Sequence, residues 1–270
     1  MMKEDKLKFK AKQLRKLLLQ LLFKINGAWV GSCLSCVDLL TALYFGGIFH
    51  FKCSQAKKKS QDVFILSKGH AVAALYVVLL KSGFFPLEKL NREIKNNSLP
   101  LHAVKNSFPG IEVSAGSLGH GLAIGAGIAW ADKHDQKASK TVVLLSDGEC
   151  EEGEVWETAL FAAHHHLDNL VAIVDYNKIQ AFGFTNKILC LEPFLQKWES
   201  FGWQGKEING HNFQEIMPAM SKLPLVAGKP TVIIAHTFKG KGVSFMENNL
   251  LWHYQKLDSE TLNKALKELI

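Results

Sequence analysis

Two short apolar runs that enclose a helical segment constrain the fold of this chain more than any other feature of its sequence. The runs, Thr141–Ser146 and Leu170–Tyr176, are rich in β-branched and aliphatic residues, as is typical of parallel strands covered on both faces. Between them, apolar residues recur at helical spacing: Val155, Ala159, Ala162 and Ala163. We therefore predict a βαβ unit within an α/β fold, an open and mostly parallel sheet with helices on both faces.

Polar residues follow these two runs directly, Asp147 after the first and Asn177 after the second. Since parallel strands end at the same edge of a sheet, we expect both side chains at the carboxyl edge, where open α/β sheets bind ligands. Carboxylate and carboxamide oxygens suit Mg²⁺ or Ca²⁺, and Gly148 at the start of a helix suits a diphosphate. The simpler alternative is an Asp-Gly turn that caps the helix. The position of Asn177, thirty residues after Asp147, favours a metal–diphosphate site instead.

The pattern of Asp147-Gly148, then Glu-Gly and Trp-Glu pairs, then Asn177 resembles the thiamine diphosphate signature of transketolases. The resemblance is greatest to the amino-terminal half of split, two-subunit transketolases, and it extends over about residues 10 to 257. It implies the thiamine diphosphate-binding fold, in a single domain that occupies residues 1–270.

The same resemblance implies which residues hold the cofactor. Thiamine diphosphate is expected to bind through Mg²⁺ (or Ca²⁺), with the metal held by Asp147, Asn177 and the backbone carbonyl of Ile179. Gly148 and Glu149 are expected beside the diphosphate.

Three further motifs occur in the order that they have in the family: SKGHA at 67–71, GSLGHG at 116–121 and Trp-His at 252–253. Taken singly, each has an ordinary explanation, such as a capping histidine, a glycine-rich packing turn or a solvated lysine. In this order they favour the functional interpretation. The resemblance implies substrate-facing histidines, His70, His102 and His253, and cofactor contacts from the glycine-rich turn, by Gly116, Ser117 and Leu118. The glycine-rich basic loop 239–242 is able to reach a diphosphate through Lys239, and solvated lysines are the open alternative there.

Five positions depart from the family pattern, among them Ala103, which replaces a proline after His102. In the segment 26–32, which we expect to form a loop, Trp29 stands where the family has a histidine near the substrate. A donor and acceptor for hydroxyl groups is thus replaced by a large amphipathic ring. Ser146 replaces a glycine before Asp147, Leu101 replaces a glycine before His102, and Tyr254 replaces a glycine after the Trp-His pair. The departures leave the identity of the substrate open.

The implied activity is transfer of a two-carbon ketol unit from a ketose, or ketose phosphate, to an aldose acceptor. In the family, a second domain binds the pyrimidine ring and supplies the activating glutamate. We therefore expect a partner chain that carries the pyrimidine-binding and carboxyl-terminal domains, in a heterotetramer. Glu152 and Glu157 correspond to family glutamates near the interface between cofactor sites, and Glu157 is the better candidate for a catalytic role.

Two alternatives to this function stay open. One is a thiamine diphosphate-dependent two-carbon or acyl transferase of specialised sugar or secondary metabolism, which Trp29, Leu101 and Tyr254 favour. The other is a protein that binds and regulates without catalysis, which the retained Asp147 and Asn177 disfavour.

Composition excludes several other classes. The formal charge of +7 and pI near 9.0 raise the question of nucleic-acid binding, but only Lys57–Lys59 forms a basic run and no aromatic-basic module appears. We expect sugar or sugar-phosphate substrates and no nucleic acid. Five scattered cysteines indicate reduced thiols, and Cys33 and Cys36 lack the second pair that a zinc site needs. The consecutive histidines His164–His166 point in different directions along a helix, so we expect no metal there.

The amino-terminal region predicts a helix and no membrane span. Leu17–Phe23 follows several lysines as in a signal peptide, but Lys24 comes next and no small-residue cleavage site is present. Apolar residues instead recur on one helical face: Leu7, Ala11, Leu14, Leu18, Leu21, Leu22 and Ile25. We expect a cytoplasmic protein. At the other end we predict a helix over Ser259–Leu269, with Ser259 as its N-cap.

Overall fold

The computed structural model describes residues 3–51 and 61–269. The basic run Lys57–Lys59 lies outside this part, as does Cys53. The helices are α1 (Lys3–Lys24), α2 (Val30–Ser35), α3 (Val37–Phe45), α4 (Val72–Lys81), α5 (Leu87–Lys95), α6 (His120–His134), α7 (Gly153–His164), α8 (Thr185–Ile188), α9 (Phe194–Ser200), α10 (Phe213–Ser221) and α11 (Ser259–Glu268). The strands are β1 (Val63–Leu66), β2 (Thr141–Ser146), β3 (Leu170–Tyr176), β4 (Ile179–Gln180), β5 (Gly183–Phe184), β6 (Gln204–Asn209) and β7 (Thr231–His236).

Five strands form one parallel sheet in the order β1-β2-β3-β7-β6. The predicted βαβ unit is confirmed: β2 and β3 are neighbours, with Thr141 opposite Leu170 and Ser146 opposite Asp175. Strands β4 and β5 form a separate antiparallel pair beyond the end of β3. The sheet is therefore the open, parallel sheet expected from the apolar runs.

Helices cover both faces of the sheet, as predicted. Along β2, Val142 and Leu144 join one hydrophobic cluster, and Val143 and Leu145 join the other. The first cluster includes residues of α1, α3, α4 and α10, and the second includes residues of α6, α7 and α9. Because successive side chains of a strand point to opposite faces, this alternation shows that the central strands are buried on both sides.

Helix α1 has the amphipathic character that its sequence predicts. Its buried face contains Leu7, Leu14 and Leu18, which belong to the first hydrophobic cluster. Within 3–51 and 61–269, no helix is long and apolar enough to cross a membrane.

Two local predictions are wrong. Helix α2 begins at Val30, inside the segment 26–32 that the sequence predicts as a loop, and it ends at Ser35, with Cys36 between it and α3. Helix α11 is capped by Asp258 and not by Ser259. The Asp258 carboxylate accepts a hydrogen bond from the Thr261 N–H (2.8 Å), and the Thr261 hydroxyl accepts one from the Asp258 N–H (3.0 Å). This capping box satisfies two donors, which a cap one residue later would not do.

Candidate functional site

At the carboxyl edge of the sheet, Asp147 lies against the turn that follows β3. Its carboxylate accepts hydrogen bonds from the Gly148 N–H (2.9 Å) and the Lys178 N–H (2.5 Å). Lys178 adopts a left-handed conformation (φ 67°), and the Asn177 side-chain oxygen accepts from the Ile179 N–H (3.1 Å). The structure therefore brings together all three groups that we predict to hold a metal.

These groups have the chemistry that a cation site requires. Burial raises the pKa of Asp147, and the nearby carboxylate of Asp175 raises it further. The Ile179 carbonyl accepts a hydrogen bond from the Lys239 ammonium (2.8 Å), which is itself a cation. A buried carboxylate, a carboxamide and a carbonyl that already binds a positive group suit a hard cation with oxygen ligands. Within 3–51 and 61–269, no cluster of three or more His, Cys, Asp or Glu offers another metal site.

Lys239 lies at the predicted place despite its charge. Its side chain is 1% exposed, and its ammonium donates to the Ile179 carbonyl and to His253 Nδ1 (2.9 Å). Burial lowers the pKa of Lys239, while Asp147 acts in the opposite direction. Gly31 makes this position possible, because a Cβ at Gly31 would lie 2.9 Å from the Lys239 Cγ.

Beneath these groups lies a buried ion pair that sequence reasoning missed. The Lys68 ammonium contacts the Asp175 carboxylate, which also accepts hydrogen bonds from Ser35 Oγ (2.6 Å) and Thr237 Oγ1. Burial would lower the pKa of Lys68, but Asp175 more than offsets this and the pKa is raised. The pKa of Asp175 is lowered in turn, since Lys68 outweighs its burial. An aspartate inside the apolar run of β3 was the available signal.

Glu149 organises the site through protein contacts. One carboxylate oxygen accepts from Ser67 Oγ and the Gly119 N–H (2.9 Å), and the other accepts from the Ser146 N–H (3.2 Å). Burial raises the pKa of Glu149, against the effect of these donors. The side chain therefore joins the ends of β1 and β2 to the glycine-rich turn. Its predicted contact with a cofactor stays a prediction.

The glycine-rich turn packs on a histidine. A Cβ at Gly116 would lie 3.0 Å from the His102 ring, and one at Gly69 would lie 2.7 Å from it. Gly116 and Leu118 line the central cavity, whereas Ser117 is exposed and outside its lining. The two glycines therefore admit the ring of His102 where any larger residue would displace it.

The three predicted histidines converge around Trp29. The indole stacks on His70, with ring centroids 4.5 Å apart and planes 8° from parallel, and lies 5.7 Å from His102. His253 meets His70 edge-on at 5.5 Å. The backbone of Trp29 is left-handed (φ 61°), and its backbone N–H donates a hydrogen bond to the His253 carbonyl (3.1 Å). The residue that departs from the family pattern is therefore in contact with the histidines themselves.

Two of these histidines, His70 and His253, are held neutral. Burial lowers the pKa of His70 to about 4, with further contributions from His102 and Lys68. Burial and then Lys239 lower the pKa of His253 to about 3. Among the described residues, His253 Nε2 is buried without a hydrogen-bond partner. Because Nδ1 accepts from Lys239, a neutral ring carries its proton on Nε2, which is free to donate to a ligand.

Most of the predicted groups surround one cavity of about 390 Å³, but His102 lies behind His70 and outside the lining of this cavity. Its walls include Asp147, Asn177, Ile179, Lys239, Lys68, His70 and His253. The lining is completed by Glu151, Glu152 and the β4–β5 hairpin. Phe182 of this hairpin is 81% exposed. The cavity can therefore bind a cation and an anionic ligand in one place.

Glu157 does not join the cavity. It lies on the exposed face of α7, opposite the buried Val155, Thr158 and Ala159. Its proposed catalytic role therefore stays a prediction that depends on a partner. Cys33 and Cys36 are buried in the core.

Comparison with known proteins identifies a family. Residues 7–269 match the family described as transketolase, thiamine diphosphate binding domain. The chain is 38% identical over 268 residues to an apulose-4-phosphate transketolase subunit of Phocaeicola vulgatus, covering 99% of this chain and 95% of that protein. It is 39% identical over 264 residues to 6-deoxy-6-sulfo-D-fructose transketolase subunit SqwG of a Clostridium species, covering 97% of this chain and 96% of that protein.

Solved structures agree with this assignment. Transketolase from Campylobacter jejuni is similar with a TM-score of 0.86 and 30% identity, over 97% of this chain and 42% of that one. Transketolase from Leishmania mexicana, at 24% identity, shares the fold with a TM-score of 0.90 over 100% of this chain and 41% of that one. The chain thus spans about two fifths of the length of these solved transketolases.

Proposed function

The chain belongs to the transketolase family, and on that premise we propose that it is the subunit that holds the metal and diphosphate of thiamine diphosphate in a two-subunit transketolase. The observation that carries the proposal is the contact of Asp147 with the Asn177–Ile179 turn, beside two buried lysines. Thiamine diphosphate, when bound, supplies the chemistry that moves a two-carbon ketol unit from a ketose to an aldose.

The metal is proposed to bind the Asp147 carboxylate, the Asn177 side-chain oxygen and the Ile179 carbonyl. Mg²⁺ prefers such oxygen ligands, and Ca²⁺ accepts the same set. Because the Lys239 ammonium contacts the Ile179 carbonyl, we propose that it moves toward the diphosphate when a metal takes that oxygen. Lys68 and the N–H of Gly148 lie on the same cavity and are suited to phosphate oxygens.

The proposed role of the three histidines is to bind hydroxyl groups of a sugar. His253 Nε2 is an unpartnered donor among the described residues, and the His70 ring centroid lies 5.5 Å from that of His253 and 5.8 Å from that of His102. A neutral imidazole both donates and accepts, which suits the exchange of a proton with a hydroxyl. We keep the expectation that these three residues face the substrate.

A specialised ketose is the second candidate function, and Trp29 favours it. Its indole fills the position beside His70 and His102 where the family has a hydrogen-bonding imidazole. The relatives named above carry the names of apulose 4-phosphate and 6-deoxy-6-sulfo-D-fructose, both sugars outside the common donors. Steady-state assays with these two and xylulose 5-phosphate distinguish the candidates. Turnover with xylulose 5-phosphate alone would exclude the specialised one.

A partner chain is proposed to complete the site, and the relatives' names as subunits support this. Several exposed apolar side chains lie beside the cavity or on α6 and α7: Leu118, Phe182, Ile188, Ile124, Trp130, Leu160 and Phe161. Such a surface is typical of protein interfaces. We propose that it receives the pyrimidine-binding subunit in a cytoplasmic heterotetramer, with Glu157 close to the interface.

Calorimetry of the chain together with its partner tests the proposal. Thiamine diphosphate should bind only with Mg²⁺ or Ca²⁺ present, and Asp147→Ala should abolish binding because it removes the one anionic metal ligand. Asp168→Ala is a control, since Asp168 bonds Lys133 and Gly228 at the opposite edge of the sheet. Unchanged binding in Asp147→Ala would refute the site. An assembled complex that lacks thiamine diphosphate would support a regulatory role.

A further inference from the structure

The segment that carries Lys239 is held from outside at both ends. On one side, the Phe238 N–H donates to His211 Nε2 (2.8 Å). On the other, the Lys241 carbonyl accepts from Arg15 Nε (2.9 Å). Lys239 thus lies between two backbone groups whose partners come from α1 and from the loop after β6.

One buried carboxylate joins these two partners. Asp38, 5% exposed, accepts two hydrogen bonds from the Arg15 guanidinium (2.9 and 2.6 Å) and one from His211 Nδ1 (2.7 Å). Burial alone would raise the pKa of Asp38, but Arg15 and His211 lower it to about 2. Since His211 Nε2 accepts from a backbone N–H, the ring is the neutral tautomer with its proton on Nδ1, and Asp38 is the acceptor that selects this tautomer.

The segment needs such support because of its own sequence. Gly240 (φ 80°) and Gly242 (φ 97°) both have left-handed conformations. Glycine loses more backbone conformational entropy on folding than other residues, so ordering this segment is unfavourable without added contacts. The Gly240 N–H also donates to the Gly31 carbonyl (3.0 Å), so α2 gives a third point of attachment. The glycines permit the turn that brings Lys239 into the cavity, and the hydrogen bonds with His211, Arg15 and Gly31 stabilise this conformation over others.

We propose that Asp38 is a positioning residue for the diphosphate site: through Arg15 and His211 it fixes the segment Phe238–Lys241 and so places the Lys239 ammonium in the cavity. The part that concerns a diphosphate rests on the proposed function. The part that concerns the position of Lys239 rests on the contacts alone. Asp38 itself lies outside the lining of the cavity and acts only through its two partners.

The first experiment uses the chain without cofactor. In Asp38→Asn, the amide NH2 group replaces one carboxylate oxygen, so at least one of the three donors that Asp38 accepts from loses its acceptor. The negative charge between Arg15 and His211 is lost as well. We expect hydrogen exchange of the Phe238–Gly242 peptide to be about tenfold faster, since one charged hydrogen bond is worth about that factor. Acylation of Lys239 by an amine reagent, mapped by mass spectrometry, should accelerate in parallel. Asp168→Asn, which also bonds a lysine and a backbone N–H, is the matched control.

The second experiment is a double-mutant cycle on the complex with the partner chain. Asp38→Asn should weaken binding of Mg²⁺–thiamine diphosphate about tenfold in the wild-type background. In a Lys239→Met background it should change the dissociation constant less than about twofold, because the group that Asp38 positions is absent. A general structural role predicts the same factor in both backgrounds.

A second variant guards against misfolding of Asp38→Asn. Arg15→Lys keeps the positive charge but loses the rigid guanidinium fork, whose three nitrogens bond both Asp38 oxygens and the Lys241 carbonyl. It should release the same segment with a circular dichroism spectrum like that of the wild type. Equal factors in both backgrounds of the cycle, or exchange and acylation unchanged in both variants, would overturn the proposal. Absence of thiamine diphosphate binding in the wild type would instead refute the proposed function, and the exchange and acylation results would still decide the role of Asp38.

Discussion

The buried pair of Lys68 and Asp175 permits a prediction about stability. Asp175→Asn should destabilise the wild type but stabilise a variant that already lacks the Lys68 ammonium. Lys68 is 3% exposed at its side chain and Asp175 is 0% exposed. Lys68→Met keeps most of the stem and leaves no large void, so the main effect is a buried carboxylate without its counter-charge. Loss of one partner of a buried pair costs about 3–5 kcal/mol.

The structure selects the lower end of that range. In this variant the Asp175 carboxylate still accepts hydrogen bonds from Ser35 Oγ and Thr237 Oγ1. Because hydrogen bonds to a charged acceptor are stronger than neutral ones, they offset part of the cost of the unpaired charge. We therefore expect Lys68→Met to lower the free energy of unfolding by about 3 kcal/mol. For a domain of this size, that loss lowers the melting temperature by roughly 6–12 °C.

Asp175→Asn should have opposite effects in the two backgrounds. In the wild type it leaves the Lys68 ammonium with the Ser32 carbonyl (3.1 Å) and Ser35 Oγ (3.4 Å), so it should destabilise. In the Lys68→Met background it removes the isolated charge, so it should restore about half of the loss.

Urea and thermal unfolding of the full chain measure both effects. Lys133→Met is the control, because its partner Asp168 is partly exposed and a surface pair contributes at most about 1 kcal/mol. If Asp175→Asn destabilised the Lys68→Met variant further, the view that this pair compensates two buried charges would be refuted.

Three further predictions concern other parts of the site. Trp29→Ala uncovers one face of the His70 ring, so the pKa of His70 should rise from about 4 toward its usual value near 6.5. NMR titration of the imidazole measures this pKa. An unchanged pKa would mean that the indole does not keep water from the ring. His253 binds its proton more weakly in the folded state (pKa about 3) than in the unfolded state, so stability should be complete above pH 6.5 and fall by on the order of 3 kcal/mol by pH 4. His253→Asn should flatten this part of the pH–stability curve, and an equally steep curve would contradict the assignment. Glu149→Gln replaces one of the two oxygens that three donors share by a donor group, so it should destabilise by about 1–3 kcal/mol in urea unfolding, with faster amide exchange at Gly119. Equal protection at Gly119 would show that the charge of this carboxylate is not needed to hold the turn.

Trp29 connects the proposed function with the structure most directly. The cofactor end of the cavity brings together the groups from Asp147 to Lys239. At the other end, an indole outside the cavity lining stacks on His70, at the position where the resemblance places a hydrogen-bonding imidazole. Because an indole has one donor and no acceptor, a sugar at this end meets fewer polar groups. The choice of ketose is therefore expected to depend on Trp29.

The sequence by itself determined the sheet edge and the polar groups that meet there. The apolar runs 141–146 and 170–176 predicted two parallel strands, and the period of the segment between them predicted α7. From that followed the contact between Asp147 and the turn after Asn177, because parallel strands must end side by side. Local rules of this kind extend over a βαβ unit.

The contacts between distant segments were decided only by the tertiary structure. Lys68 and Asp175 are 107 residues apart, and Arg15 and Lys241 are 226 apart. Their meeting depends on the strand order β1-β2-β3-β7-β6, in which β7 lies between β3 and β6. Periodicity in a sequence gives the face on which a side chain lies, but not which strand will be its neighbour. For that reason the sequence predicted that Lys239 reaches the cavity, and only the fold revealed the contacts that join Asp38 to its segment.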